Sequence, residues 1–143
     1  MRRYLLAMIA AALLPANAFP QSQLAIDKFD RKSINQAAKE VGFSTLLEGT
    51  VGDPELSVFV LVSQPHIQDW RVFPAAVDRT AEGAGRYRWR AVCNLGELDG
   101  AGKGDNFQLR AIALDPRLLS SGLPERLPPA TAKSSTIVLK RVK

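Results

Sequence analysis

The chain has 143 residues with 19 basic and 14 acidic side chains, one histidine, one cysteine and a formal net charge of +5. A single cysteine excludes an internal disulfide, and basic side chains interspersed with acidic ones are not the composition of a dedicated nucleic-acid binder. The length corresponds to one domain that must be held together by its hydrophobic core alone.

Residues 1–18 have the pattern of a secretory signal peptide. Arg2 and Arg3 precede an apolar run from Tyr4 to Leu14, and the residues PANA then end at Ala18. The run is shorter than the roughly 20 residues that span a bilayer, so we predict cleavage after Ala18 rather than a membrane anchor. Cleavage lowers the net charge by two and places the mature chain in the periplasm or outside the cell.

Residues 19–42 precede the predicted β-domain, and the first part of them shows no sustained period. Ser33 and Gln36 have the spacing of a capping box, and Gly42 stands where a helix C-terminal cap would lie. Apolar residues at helical spacing between these caps predict a helix of about two turns over residues 33–41. An extended approach to the first strand is the alternative.

From residue 43 to 143 the sequence predicts β-strands, at residues 43–51, 56–62, 70–74, 86–93, 107–113 and 135–142. The continuous apolar run LSVFVLV, residues 56–62, predicts a strand buried on both faces. Pro74 cannot donate to a sheet ladder, so it must end its strand or lie at a sheet edge. The proline-rich residues 115–133 predict a long extended connection.

The clearest alternation lies at residues 86–93. Tyr87, Trp89, Ala91 and Cys93 share one face, and the arginines at positions 86, 88 and 90 share the other. This pattern predicts a half-buried strand with its arginines in solvent. It also predicts that Cys93 is a small buried side chain rather than a reactive thiol.

The stretch DGAGKGDN, residues 99–106, has the appearance of a phosphate-binding loop but lacks its chemistry. Glu97 stands where the first glycine is required, and Gly104 replaces the hydroxyl residue that would hold magnesium. A phosphate loop also leads into a helix, whereas this stretch leads into an alternating strand. We interpret it as a glycine-rich hairpin connection whose glycines supply positive φ angles.

No constellation of catalytic residues is visible in the sequence. His66 is the one histidine, it follows Pro65 in a predicted turn, and no second ligand stands at metal-binding spacing. A serine hydrolase would need that histidine together with a Gly-x-Ser-x-Gly elbow, which the chain lacks. We therefore predict no enzymatic activity, no metal and no cofactor.

Several short strands in about 100 residues, joined by turn signals, predict an all-β sandwich, with a small barrel as the competing architecture. The runs VFVLVSQPHIQDWRVFPAAV, GRYRWRAVCNLGE and DNFQLRAIAL resemble small immunoglobulin-like β-sandwich modules of exported bacterial proteins. The resemblance covers roughly residues 50–141. It implies a single immunoglobulin-like β-sandwich at residues 43–143 and identifies no catalytic or ligand residue.

Two functional hypotheses follow from these patterns. The first is a non-enzymatic binding or scaffolding module that engages an envelope polysaccharide or a protein partner; the second is a small periplasmic inhibitor or accessory protein of an envelope enzyme. Arginine forks suit carboxylates and sulfates, and a tryptophan near a loop can stack on a sugar. The candidate binding residues are Arg86, Arg88, Arg90, Arg71, Arg110 and Trp70. The alternative is an ordinary solvent-facing surface whose arginines pair with nearby acids.

Overall fold

The computed structural model describes residues 23–36, 38–67, 70–81, 83, 85–119 and 129–143. Within these ranges the chain forms eleven strands and one short 3-10 helix at Pro116–Leu119. The strands are β1 (Leu24–Phe29), β2 (Lys32–Ser33), β3 (Glu40–Val41), β4 (Ser44–Val51), β5 (Ser57–Ser63), β6 (Trp70–Pro74), β7 (Ala76–Ala81), β8 (Tyr87–Asn94), β9 (Asn106–Leu114), β10 (Ala132–Lys133) and β11 (Ile137–Arg141).

The strands form two sheets that pack face to face, so the prediction of an all-β sandwich-like fold is confirmed. The first sheet has the order β2-β1-β4-β8-β7, and the second has the order β3-β11-β9-β5-β6 with β10 also paired to β9. The strand pairs are antiparallel except for β3 and β11, which are parallel.

The main core lies between the sheets and follows from the alternation of β8. Trp89, Ala91 and Cys93 are buried as predicted, while the intervening arginines at positions 88 and 90 are exposed. A Cβ atom at Gly49 would lie 2.4 Å from the Trp89 ring and 2.0 Å from the carbonyl oxygen of Ala25. Only glycine therefore lets β1, β4 and the indole approach this closely.

Strand β5 is buried on both faces, as its continuous apolar sequence predicts. Val58, Val60 and Val62 face the core between the sheets. Phe59 and Leu61 face outward into a second apolar cluster. Its other members are Ile112, Leu114, Val72, Leu119 and Ala130. Part of the outer face of the second sheet is therefore covered by the chain that follows β9.

One edge of the sandwich is closed by strands β6 and β7, which run almost continuously from the second sheet to the first. The switch occurs at Ala75, whose amide donates to the carbonyl oxygen of Val58 at 2.9 Å. Pro74 ends β6, which is the edge strand of its sheet. The predicted placement of this proline is confirmed.

The helix predicted over residues 33–41 is wrong. Ser33 ends β2 and Glu40–Val41 forms β3, and the described residues between them contain no helix. The hydroxyl of Ser33 accepts a hydrogen bond from the amide of Asn35 at 3.2 Å in a local turn, and the Ile34 amide donates to Asp27 in β1. Sheet pairing at both ends outweighs the weak intrinsic stability of a two-turn helix.

The glycine-rich stretch is not a hairpin, because β8 and β9 belong to different sheets. The connection between them crosses from the first sheet to the second at one end of the sandwich. Gly96, Gly100, Gly102 and Gly104 have φ angles of 83°, 102°, 94° and 87°, so the predicted use of positive φ is confirmed. The stretch leads into a strand, as predicted.

The predicted signal peptide at residues 1–18 and residues 120–128 of the proline-rich connection lie outside the described residues. Strand β1 pairs with β4, so the sandwich takes in residues from the segment before residue 43. Within the described ranges, no helix has the length and apolar character needed to cross a membrane.

Candidate functional site

The six predicted binding residues do not form one surface. Arg86, Arg88 and Arg90 lie just before or along β8 in the first sheet. Strand β8 pairs with β4 and β7, whereas Arg71 and Arg110 lie on β6 and β9 of the second sheet. The five candidate arginines are therefore divided between two sheets.

On the outer face of the first sheet, the arginines of β8 stand among acidic side chains. Arg90 is directly opposite Glu48 in the register, and Arg88 is opposite Thr50, whose hydroxyl donates to Asp27 at 3.3 Å. Hydrogen bonds from the backbone and side chain of Thr80 lower the pKa of Asp78, and the charges of Arg90 and Arg88 lower it further. Positive and negative charges alternate across this face.

Arg71 is fixed by the loop that connects β8 to β9. One of its terminal nitrogens donates to the Gly96 carbonyl oxygen at 2.9 Å, and the other forms an ion pair with Glu97. Its guanidinium therefore faces the loop end of the sandwich and is not grouped with Arg110.

The same loop is held by Arg141, a residue that was not among the sequence candidates. Only 2% of Arg141 is exposed. Its guanidinium donates to four carbonyl oxygens at 2.7–2.9 Å and lies 5.0 Å from the centre of the Phe43 ring. The acceptors are Leu95, Glu97, Ala101 and Lys143. Ile137, Leu139 and Arg141 are the buried residues of the alternating strand β11. The spacing of two residues from Leu139 could therefore have predicted from the sequence that Arg141 is buried.

A small cavity of about 130 Å³ opens at this loop end, between the end of the second sheet and the loop that connects β8 to β9. The exposed apolar side chains nearby on the loops include Ile67, with 51% of its surface exposed, and Leu98, with 81%. The lining residues are Val62, Gln64, Ile67, Arg71, Gly96 and Phe107. The loops around the cavity are fixed by hydrogen bonds, including one from Gln64 to Asp105 at 3.2 Å.

The outer face of the second sheet brings two of the predicted residues together. The Arg110 guanidinium carbon lies 5.6 Å from the centre of the Trp70 ring, and Trp70 keeps 37% of its surface exposed. Their strands are separated by β5, and the small side chain of Ser63 stands opposite Trp70. The ring and the guanidinium can therefore meet above β5.

Trp70 begins a row of side chains that crosses four strands on this outer face, which we call the open row. The register places Trp70 beside Ser63, Ser63 beside Gln108 and Gln108 beside Val138. Trp70, Gln108 and Val138 are exposed and Ser63 is half-buried. With strands about 4.8 Å apart, the row is about 14 Å long.

An open cleft of about 590 Å³ adjoins the Val138 end of the open row. It lies between β11, the start of β9 and the chain before β3. Its lining is rich in amide and charged groups, which can both donate and accept hydrogen bonds. The lining residues are Asn35, Gln36, Ala38, Lys39, Glu40, Asn106, Val138 and Lys140.

The nucleophilic and metal-binding groups of the described residues are dispersed. His66 is exposed in a turn with φ of 66°. Burial raises the pKa of the Cys93 thiol to about 12, so the thiol stays protonated at neutral pH. Across the described ranges, no group of three histidine, cysteine, aspartate or glutamate side chains is arranged to hold a metal.

No model of a known protein family matches the chain, and a search of curated proteins returns no significant match.

Proposed function

We propose that the chain is an exported, non-enzymatic binding module of immunoglobulin-like type that engages an envelope polysaccharide. The strand order supports the immunoglobulin-like type. Strands β1, β4, β8 and β7 correspond to the A-B-E-D sheet of that fold, and β5, β9 and β11 correspond to strands C, F and G. The signal-peptide pattern of residues 1–18 supports export to the periplasm or beyond.

The observation that carries the polysaccharide proposal is the division of the outer face of the second sheet. One half is apolar and covered, with Phe59 and Leu61 buried against Leu119 and Ala130. The other half is open and joins an exposed indole to amide side chains. A hydroxyl-rich chain needs this combination, because its ring C–H groups pack on an aromatic face while its hydroxyls need donors and acceptors.

A pull-down from detergent-solubilised envelope tests the proposal. Tagged mature protein, starting at residue 19, is incubated at low and at high salt, and the eluted polysaccharides and proteins are identified by mass spectrometry. We expect polysaccharide to be recovered reproducibly and protein only at background level. Recovery of one protein at fixed stoichiometry, at both salt concentrations, would contradict the polysaccharide proposal.

That contrary result would support the second candidate, a small inhibitor or accessory protein of an envelope enzyme. The observation that favours this candidate is the rigid loop end, where Arg141 fixes the loop that presents Leu98. A loop already held in one conformation loses little entropy on binding, and this favours insertion into a partner's cleft. Replacing Leu98 and Ile67 with serine would then abolish recovery of the partner.

A further inference from the structure

We propose that the open row and the adjoining cleft together form one binding site for an acidic polysaccharide, which crosses the strands of the second sheet. This inference rests on the proposed function and specifies both the surface and the class of sugar. A sugar ring lies on Trp70, the chain passes over Ser63 and Gln108, and a carboxylate reaches Lys140 beside the cleft.

The aromatic end of the site is pre-organised. Trp70 belongs to a strand rather than to a loop, and the Arg110 guanidinium lies over its ring at 5.6 Å. The Nε atom of Arg110 is buried without a hydrogen-bond partner among the described residues. The cation–π contact is attractive and favours one orientation of the ring. The indole is therefore held in place before a ligand binds.

The polar end of the site has the donors and the charge that an acidic chain requires. Lys140 and Asn106 are opposite each other in the register, and both line the cleft. Lys39 also lines it, and among the described lining residues the carboxylate is that of Glu40. With Arg110 at the other end, basic side chains outnumber acidic ones among the residues of the site that the structure describes. The balance favours a uronic acid polymer over a neutral one.

The shape of the surface favours a sugar chain over a protein. Specific protein interfaces have a core of large apolar and aromatic side chains. The described residues of this surface include one indole, one valine and one alanine, and the others are polar. The site is also an open strip, about 14 Å along the row alone, so a polymer can enter and leave at both ends.

The test uses isothermal titration calorimetry of the mature protein with alginate, a polymer of uronic acids, and with dextran, a neutral glucose polymer. We expect binding to alginate that weakens with salt, and weaker binding to dextran. Trp70→Ala should weaken both interactions about tenfold or more, because it removes the apolar platform. Lys140→Gln should weaken alginate binding about threefold and leave dextran binding unchanged, because it removes one exposed charge.

Two further variants make the test decisive. Trp70→Phe retains a ring and should recover most of the binding, which separates loss of stacking from loss of folding. Arg88→Ala combined with Arg90→Ala alters the first sheet and is the matched control, with affinity expected to be unchanged.

The outcomes separate the site from the function. If alginate binds and neither Trp70→Ala nor Lys140→Gln weakens it, the site is wrong while the proposed function stands. If dextran binds as tightly as alginate, the acidic class is wrong. If wild-type protein binds neither polymer and the envelope pull-down recovers no polysaccharide, both the site and the proposed function are wrong.

Discussion

The outer faces of the two sheets carry side chains of different chemical character. The first sheet presents arginines on β8 beside Glu48 and Asp78 on the adjacent strands β4 and β7, with Asp27 on β1 beyond β4. The second sheet presents a face that is half covered by apolar residues and half open, with Trp70 at one end of the open row. The face with more charge is therefore the one whose charges are already compensated.

This difference shows how to read a row of charged residues in a sequence. An arginine stripe is visible along one strand, but the acids that face it lie on other strands. Solvated charges of opposite sign on adjacent strands contribute little to stability and leave little net field for a ligand. Neighbours across the sheet decide whether a stripe is a binding surface.

The largest effect is expected from a residue that belongs to neither face. Arg141→Met removes the donor from four carbonyl oxygens, and buried acceptors left unpaired should lower the free energy of unfolding by about 3–5 kcal/mol. Urea denaturation followed by tryptophan fluorescence measures this change. A loss below about 1 kcal/mol would mean that water replaces the guanidinium and that the loop is not held by it.

The covered half of the second sheet should respond next. Leu61→Ala removes a side chain that is 7% exposed and should lower the free energy of unfolding by about 3 kcal/mol. The matched change on the first sheet is Val92→Ala, where 60% of the side chain is exposed and the expected loss is about 0.5 kcal/mol or less. Equal losses in the two variants, measured by urea denaturation, would remove the distinction between the two faces.

Cys93, buried between the sheets, should lower the free energy of unfolding at alkaline pH. Its pKa is raised by burial from 9.0 to about 12, so the folded state holds the thiol proton more tightly than the unfolded state does. The stabilisation is complete below pH 9 and is lost as the pH rises toward 12. Between pH 9 and pH 10.5, wild type should lose about 2 kcal/mol more than Cys93→Ala. The prediction is wrong if the urea midpoints of wild type and of Cys93→Ala change by the same amount over this pH range.

The smallest effect is expected on the charged face itself. Arg88→Ala combined with Arg90→Ala should change the free energy of unfolding by about 0.5 kcal/mol per site or less, and should change alginate affinity less than about twofold. Calorimetry of this variant beside Trp70→Ala is the sharpest comparison of the two faces. If the arginine variant loses affinity and Trp70→Ala keeps it, the first sheet is the binding face.

Much of the fold could be predicted because three strands carry their pattern locally. The alternation of β8 and β9 and the continuous apolar run of β5 each follow from residues that are adjacent in sequence. Strand β1 was missed because a bulge between Ile26 and Lys28 shifts its register. Its buried residues Leu24, Ile26 and Phe29 are therefore spaced by two and then by three, which no simple period describes.

The candidate site was predictable only in part. Trp70 and Arg110 were both selected from the sequence, but their contact depends on β5 lying between β6 and β9. The same pairing separates Arg110 from the arginines of β8. Sheet membership is set by contacts between distant residues, so no local pattern could decide which candidates would meet.

The parallel pairing of β3 with β11 joins Glu40 to Lys140, about 100 residues apart in the chain. Such a long loop must be closed before the pair contributes any stability, so these contacts raise the contact order and slow folding. The second sheet cannot be completed until residues 137–141 have been synthesised. Until then, a nascent chain leaves open the edge of β9 that pairs with β11.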